Sequence, residues 1–148
     1  MELTHVDMVI RLVVALVLGA VIGFERELSG KEAGFRTYAL VSLGSALVML
    51  VSIQMYEVYK HAATVDPSRI AAQVVSGIGF LGAGAIIRFG NQGIVRGLTT
   101  AAGIWVASGI GLACGLGVFD AAIVTTFLTL VALLVMGQIN RIIEKRKK

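Results

Sequence analysis

Proline, cysteine and histidine are nearly absent from this chain, which has one, one and two of them in 148 residues. Cys114 is alone, so no internal disulfide is possible, and inside an apolar stretch it serves as a small packing residue. His5 and His61 fall in terminal or link positions, and no Cys/His spacing suited to a metal occurs. No nucleophile, base and orienting group can be assembled, which argues against an enzyme and against a resident cofactor. Charge is also scarce, at 15% of residues. The carboxylates Glu2, Asp7, Glu25, Glu27, Glu32, Glu57, Asp66, Asp120 and Glu144 all lie outside or near the ends of the apolar runs. Because Mg²⁺ is held by oxygen ligands with one or two carboxylates and retained waters, a mid-membrane magnesium site has no support. At most, a weak surface ion site around Asp66 and Asp120 remains.

What is abundant is apolar sequence. Hydrophobic residues make up 57% of the chain, mean hydropathy is +0.87, and 18 residues are glycine. The apolar runs are Met8 to Phe24, Thr37 to Met55, Ile70 to Ile87, Leu98 to Leu116 and Ala121 to Gly137. A helix of about 17–20 residues is roughly 26–30 Å long, close to the hydrocarbon thickness of a bilayer. The expected architecture is therefore all-α: a polytopic membrane bundle of about five transmembrane helices packed through glycine. The expected organisation is one transmembrane domain over residues 1–137 and a basic cytoplasmic tail over 138–148. Arg11 lies inside the first run and is expected to snorkel toward the nearer surface. Glu25-Arg26-Glu27 directly follows that run, unlike the cleavage region of a signal peptide.

Lys and Arg are unevenly distributed. Arg26, Lys31, Arg36, Arg88, Arg96, Arg141, Lys145, Arg146, Lys147 and Lys148 fall on one side of the expected bundle, and only Arg11, Lys60 and Arg69 on the other. The positive-inside bias places the N-terminus outside and the C-terminus in the cytoplasm. The basic tail is read as meeting anionic lipid headgroups, at about 1 kcal/mol per residue, and not nucleic acid.

Small residues recur at fixed spacing. Ala15, Gly19 and Gly23 repeat every four residues, as do Gly103, Ala107, Gly111 and Gly115. Each set forms a smooth ridge on one helix face, for packing within the bundle or for a homodimer interface. Gly77, Gly79, Gly82 and Gly84 spread around more of the third helix, which places that helix in the middle of the bundle. Glycine in an isolated helix costs roughly 0.8–1.0 kcal/mol relative to alanine. Close packing in the membrane is the natural offset. The Gly77, Gly79, Gly82 spacing matches a dinucleotide fingerprint, but that motif needs a strand before it, and none is evident.

Polar residues at membrane depth are Gln54, Gln73, Ser76, Thr99, Thr100 and Ser108. They are read as interhelical hydrogen-bond donors or as the lining of a polar path. Asp66-Pro67 reads as a helix start, with Asp66 as N-cap and Pro67 as the first helical residue. Glu25, Arg26, Arg36, Arg88, Asn91 and Arg96 gather near one expected rim, where Glu25 can pair with an arginine. The other arginines suit phosphate or an acidic partner, because the guanidinium binds either bidentately.

The arrangement resembles the membrane domain of the MgtC/SapB family from about Gly19 to Gly137. The residues that carry the likeness are Gly23, Glu25 and Arg26; Ala33-Gly34-Phe35-Arg36-Thr37 with Leu40, Val41 and Gly44; Asp66; RIAAQVVSGIGFLGAG from Arg69 to Gly84; and Val95 to Ala102 with Trp105. Phe35 stands where leucine is commoner. Many members continue into a soluble C-terminal domain, whereas this sequence ends at Lys148, as in a short form. The resemblance implies a bacterial inner-membrane protein linked to growth under magnesium limitation and, in pathogens, to survival in phagocytes. It also implies a regulator of other membrane proteins, with the F-type ATP synthase as a target. The functional residues it implies are Asp66, Arg69, Gln73, the glycines from Gly77 to Gly84, and Asn91, Arg96 and Thr99. A dimeric regulator is thus the leading expectation, and a transporter or channel for Mg²⁺ or another small ion the second.

Overall fold

The computed structural model describes residues 4–61, 64, 66–89 and 94–137. Its helices are α1 (His5–Leu28), α2 (Phe35–Tyr59), α3 (Ser68–Gly84), α4 (Leu98–Leu116) and α5 (Phe119–Val131), the last running into a π-helical turn, Ala132–Met136. Between α3 and α4, β1 (Ile87–Phe89) pairs antiparallel with β2 (Ile94–Arg96), Ile87 opposite Arg96. The hairpin departs from the expected polar link. The third apolar run ends as helix at Gly84, and the β-branched residues Ile87, Ile94 and Val95 take extended backbone, which suits their stiff side chains.

Local signals set the helix ends. A capping box opens α1: the Thr4 hydroxyl accepts the Asp7 N–H at 3.1 Å, and the Asp7 carboxylate accepts the Thr4 N–H at 3.2 Å. At the end of α4, Gly117 adopts φ +91°, a left-handed conformation that glycine enters without penalty. The N–H groups of Gly117 and Val118 both return to the Ala113 carbonyl. Arg11 donates from Nη1 to the Gly115 carbonyl at 2.7 Å. It therefore closes the negative end of α4 and does not simply reach outward, as snorkelling would require.

The core lies where α1, α2 and α4 all meet one another. Ala15, Gly19, Ile22 and Gly23 face it from α1, and Gly103, Ile104, Ala107, Gly111 and Cys114 from α4. A methyl group on Gly19 would sit 2.7 Å from Ser42 Cβ, and one on Gly115 would sit 2.7 Å from Met49 Cβ. At Gly111 it would strike the Ser42 carbonyl. Both ridges are therefore consumed by packing inside the chain, and the α4 ridge is closed to a second copy.

The helix α3 is not central. Among its residues only Ile78 and Gly82 are buried, and methyl groups on Gly77, Gly79 or Gly84 would meet none of the described residues within 4 Å. The expectation of a central third helix fails because α2 and α4 already interlock through their own small residues, leaving α3 against one flank of the pair.

Among the described residues, α1, α2 and α4 are long and apolar enough to cross a bilayer; α3, at 17 residues, and the α5 segment are shorter. Exposed Leu40, Leu47, Val51, Phe127 and Leu128 continue the apolar surface around the bundle.

Gly111→Leu should prevent α4 from seating on α2, an overpacking cost of about 1–3 kcal/mol or more. Gly77→Leu should leave the fold intact. Thermal unfolding of both variants in detergent checks the contrast.

Candidate functional site

One end of the bundle gathers the end of α1, the start of α2, the end of α3 and the start of α4. Arg26, only 4% exposed, donates to its neighbour Glu25 from Nε to Oε2 at 2.5 Å and from Nη2 to Oε1 at 2.7 Å. Adjacent helical residues do not normally face each other. Here the fork closes because Ser29, just past the last turn, also donates to Glu25 Oε1, at 2.8 Å. The Glu27 carboxylate accepts the Phe35 N–H at 2.9 Å and ties the end of α1 to the start of α2. The fully buried Tyr38 fits beside Gly23 and Gly103 and donates its hydroxyl to the Thr100 carbonyl at 3.3 Å.

A cleft of about 280 Å³ opens at this end. Its walls are Glu32 and Ala33 from the α1–α2 link, Thr37 and Val41, Leu81, Gly84 and Ala85, and Thr100 and Ile104. Arg36, Arg96 and Thr99 are exposed at the same end, while Arg88 falls in β1 opposite Val95. Asn91 and the basic tail, 138–148, lie outside the described residues.

The other expected polar residues do not join this end. Asp66 precedes α3, and its carboxylate accepts the Ser68 N–H at 2.8 Å and the Ser68 hydroxyl at 2.7 Å. The helix starts at Ser68, with Pro67 as the N-cap, one residue later than the sequence indicates. Arg69, Gln73 and Ser76 are exposed along α3 in one stripe with Gly77, Phe80 and Gly84; Phe80 is 82% exposed. Gln54 is exposed on α2.

Hydroxyls inside the bundle mostly return to their own helices. Ser45 donates to the Val41 carbonyl, Ser108 to that of Trp105 and Thr126 to that of Ala122, each at 2.8 Å. Ser108 thus makes no bond between helices. Ser52 donates to the Pro67 carbonyl, joining α2 to the start of α3. Ser42 Oγ is buried without a partner among the described residues. Sequence reasoning passed over Tyr38, Ser42, Ser45 and Ser52. Their spacing of four, three and seven residues marks a single α2 face, a signal that was available. No group of three His, Cys, Asp or Glu residues is placed to hold a metal among the described residues.

Long apolar helices, glycine-spaced packing and a charged rim define a polytopic membrane protein. The MgtC family model matches residues 12–142, and the chain belongs to that family. It is 45% identical over 136 residues to YhiD of Escherichia coli K12, named as a candidate magnesium transporter, covering 90% of this chain and 62% of YhiD. It is 46% identical over 124 residues to the protein MgtC of Salmonella typhimurium LT2, covering 84% of this chain and 50% of that protein. Identity to the protein SrpB of Synechococcus elongatus is 40% over 138 residues, covering 89% and 76% of the two chains. The chain thus spans about three fifths of YhiD and half of MgtC. No solved structure matches it.

Removing the carboxylate that faces buried Arg26 should be costly. Glu25→Gln is expected to lose about 3 kcal/mol, whereas Glu25→Leu combined with Arg26→Leu should recover most of it, because a buried charge is worse unpaired than absent. Chemical denaturation in detergent reads both.

Hydrogen bonds from Ser68, with Arg69 nearby, hold the Asp66 carboxyl below its ordinary pKa of 3.8. A lowered folded-state value stabilises above the unfolded value and is lost as pH falls through the lowered one. The hydrogen-exchange protection factor at the first turn of α3, taken relative to the intrinsic rate at each pH, should therefore be higher at pH 5 and fall below about pH 3.8, and Asp66→Asn should flatten that dependence.

Proposed function

We propose that this chain is a non-catalytic regulator in the bacterial inner membrane, linked to growth or survival under magnesium limitation, that recognises a membrane partner through the exposed face of α3. The observation that carries this reading is the contrast between helices. The α1 and α4 ridges are occupied by α2, whereas Gln73, Ser76 and Gly77 are exposed among the described residues. Amide and hydroxyl groups facing hydrocarbon are costly, and small residues let another backbone approach closely. Such a face suits a second helix, from a second copy of this chain or from another membrane protein. The F-type ATP synthase, implied by the family resemblance, is the first partner to test. Following the Lys/Arg bias, the N-terminus lies outside and the rim with Glu25, Arg36 and Arg96 faces the cytoplasm.

The name of YhiD favours a second reading, transport of Mg²⁺ or another small ion. That reading needs a wet path past Gln73. The regulator reading is preferred because Gln73 lies on the outer face of α3 and the interior hydroxyls of Ser45, Ser108 and Thr126 are spent on their own helices.

The two separate in one preparation. Protein reconstituted in liposomes should show no Mg²⁺ uptake above empty vesicles, and Gln73→Leu should change nothing there. Gly77→Leu should abolish co-purification of the partner from native membranes while the protein remains folded. Uptake that disappears in Gln73→Leu would establish the transporter.

A further inference from the structure

The cleft at the charged end carries a negative charge that nothing in its own lining balances. Among the described residues Glu32 is the only charged side chain that lines it, and Glu32 is exposed and makes no ion pair with them. Arg36 and Arg96 are exposed at the same end of the bundle, but neither lines the cleft. The backbone adds to the imbalance. The Glu27 carboxylate already holds the Phe35 N–H at the start of α2, and α3 ends at the cleft, at Gly84, with the negative end of its dipole. Beside the carboxylate, Val41, Leu81 and Ile104 make an apolar wall. A single carboxylate above an apolar wall fits lysine or arginine, which buries its aliphatic stem and keeps its charged head at the polar surface. A sphere of the cleft's volume, about 280 Å³, is about 8 Å across, less than the roughly 10–12 Å of a helix with its side chains, so the cleft takes a side chain and not a helix.

The cleft is continuous with the open face of α3. Gly84 belongs both to its lining and to the exposed stripe of Gln73, Ser76, Gly77 and Phe80, and Leu81 is exposed one turn beyond Gly77. At the opposite end of the bundle α2 and α3 are joined, where Ser52 donates to the Pro67 carbonyl; toward the charged end the cleft lies between them. A helix lying along the stripe therefore brings its end to the mouth of the cleft. From Gln73 to Gly84 the rise is about 16 Å, or about three turns. The Lys/Arg bias turns this end to the cytoplasm, the side on which membrane proteins concentrate lysine and arginine.

We infer that the partner of α3 is a transmembrane helix with a lysine or arginine at its cytoplasmic end, about three turns beyond the residue that meets Gln73, and that this side chain enters the cleft and pairs with Glu32. The inference rests on the reading that α3 meets a membrane partner, and it adds the chemistry by which that partner is chosen. Gln73 and the small residues beside it set where the helix lies. Glu32 sets which helices are accepted and in which direction they run, because a helix inverted in the membrane carries its cation to the wrong end.

The test uses the whole chain in phosphatidylcholine vesicles and a synthetic single-span helix of leucine and alanine, with serine at the level of Gln73 and lysine, glutamine or glutamate at one end. Association is read by fluorescence energy transfer. The lysine helix should bind about fivefold more tightly than the glutamine helix, and the glutamate helix more weakly than either. Glu32→Gln should erase the lysine preference and Glu32→Lys should transfer it to the glutamate helix. Glu32 is exposed, and an unchanged unfolding temperature confirms that both variants fold. Binding that Gly77→Leu abolishes but that ignores the end residue would overturn the inference and leave the α3 reading intact, whereas no binding by any helix would overturn both. A lysine preference that survives Glu32→Gln would also overturn it. So would loss of that preference when phosphatidylethanolamine replaces half of the lipid, which gives the carboxylate to a lipid amine, or transfer between two labelled copies that the lysine helix cannot displace, which gives the face to a second copy.

Discussion

The structure depends on how closely α1 and α4 approach α2. Contact through backbone and Cβ atoms, as at Gly19 and Gly111 against Ser42 and at Gly115 against Ala46 and Met49, leaves no space for a methyl group. In a membrane this matters more than in water. Lipid tails are as apolar as leucine, so helices associate through van der Waals fit and hydrogen bonds, not through escape from solvent. Glycine's weak helix propensity is offset by those contacts. The same fit fixes the position of Tyr38, whose ring occupies the space left by Gly23 and Gly103 and whose hydroxyl meets the Thr100 carbonyl. The start of α4 is thereby tied to the start of α2, and the charged end is built on that tie.

Each remaining feature follows from this three-helix core. Arg11 can reach the Gly115 carbonyl only because the start of α1 and the end of α4 lie together. The Glu25–Arg26 pair is buried because the end of α1 is pressed against the start of α2. The third helix takes what is left, a flank of α2 and α4, and its outer stripe from Arg69 to Gly84 stays open. The helices thus differ in exposure: α1, α2 and α4 hold the fold, and α3, proposed for recognition, presents polar and small residues outward.

Much of this was legible in the sequence. The fourth run, Leu98 to Leu116, coincides with α4 because glycines that end helices, Gly97 and Gly117, flank it on both sides. The other runs erred at their ends, since capping groups such as Thr4 and Asp7 extend a helix beyond its apolar stretch. Ridge spacing correctly marked which glycines share a face, but spacing cannot say whether the facing backbone belongs to the same chain. The α4 ridge, a candidate dimer surface by sequence, meets α2, while of the α3 glycines, expected in the middle, only Gly82 meets a neighbour among the described residues. At the candidate site, Glu25 and Arg26 could be anticipated as a pair by charge alone. The cleft could not, because Glu32, Thr37, Leu81 and Thr100 come from four separate segments and only the tertiary fold brings them together.

The claim that α3 is the recognition surface is tested most directly by site-specific photocrosslinking in native membranes. A photoreactive residue in place of Phe80, on the open face of α3, is compared with one in place of Leu47, on the apolar face of α2. The account predicts a discrete protein adduct from position 80 and lipid adducts alone from position 47. Lipid adducts alone from position 80, or the same protein adduct from both, would contradict it.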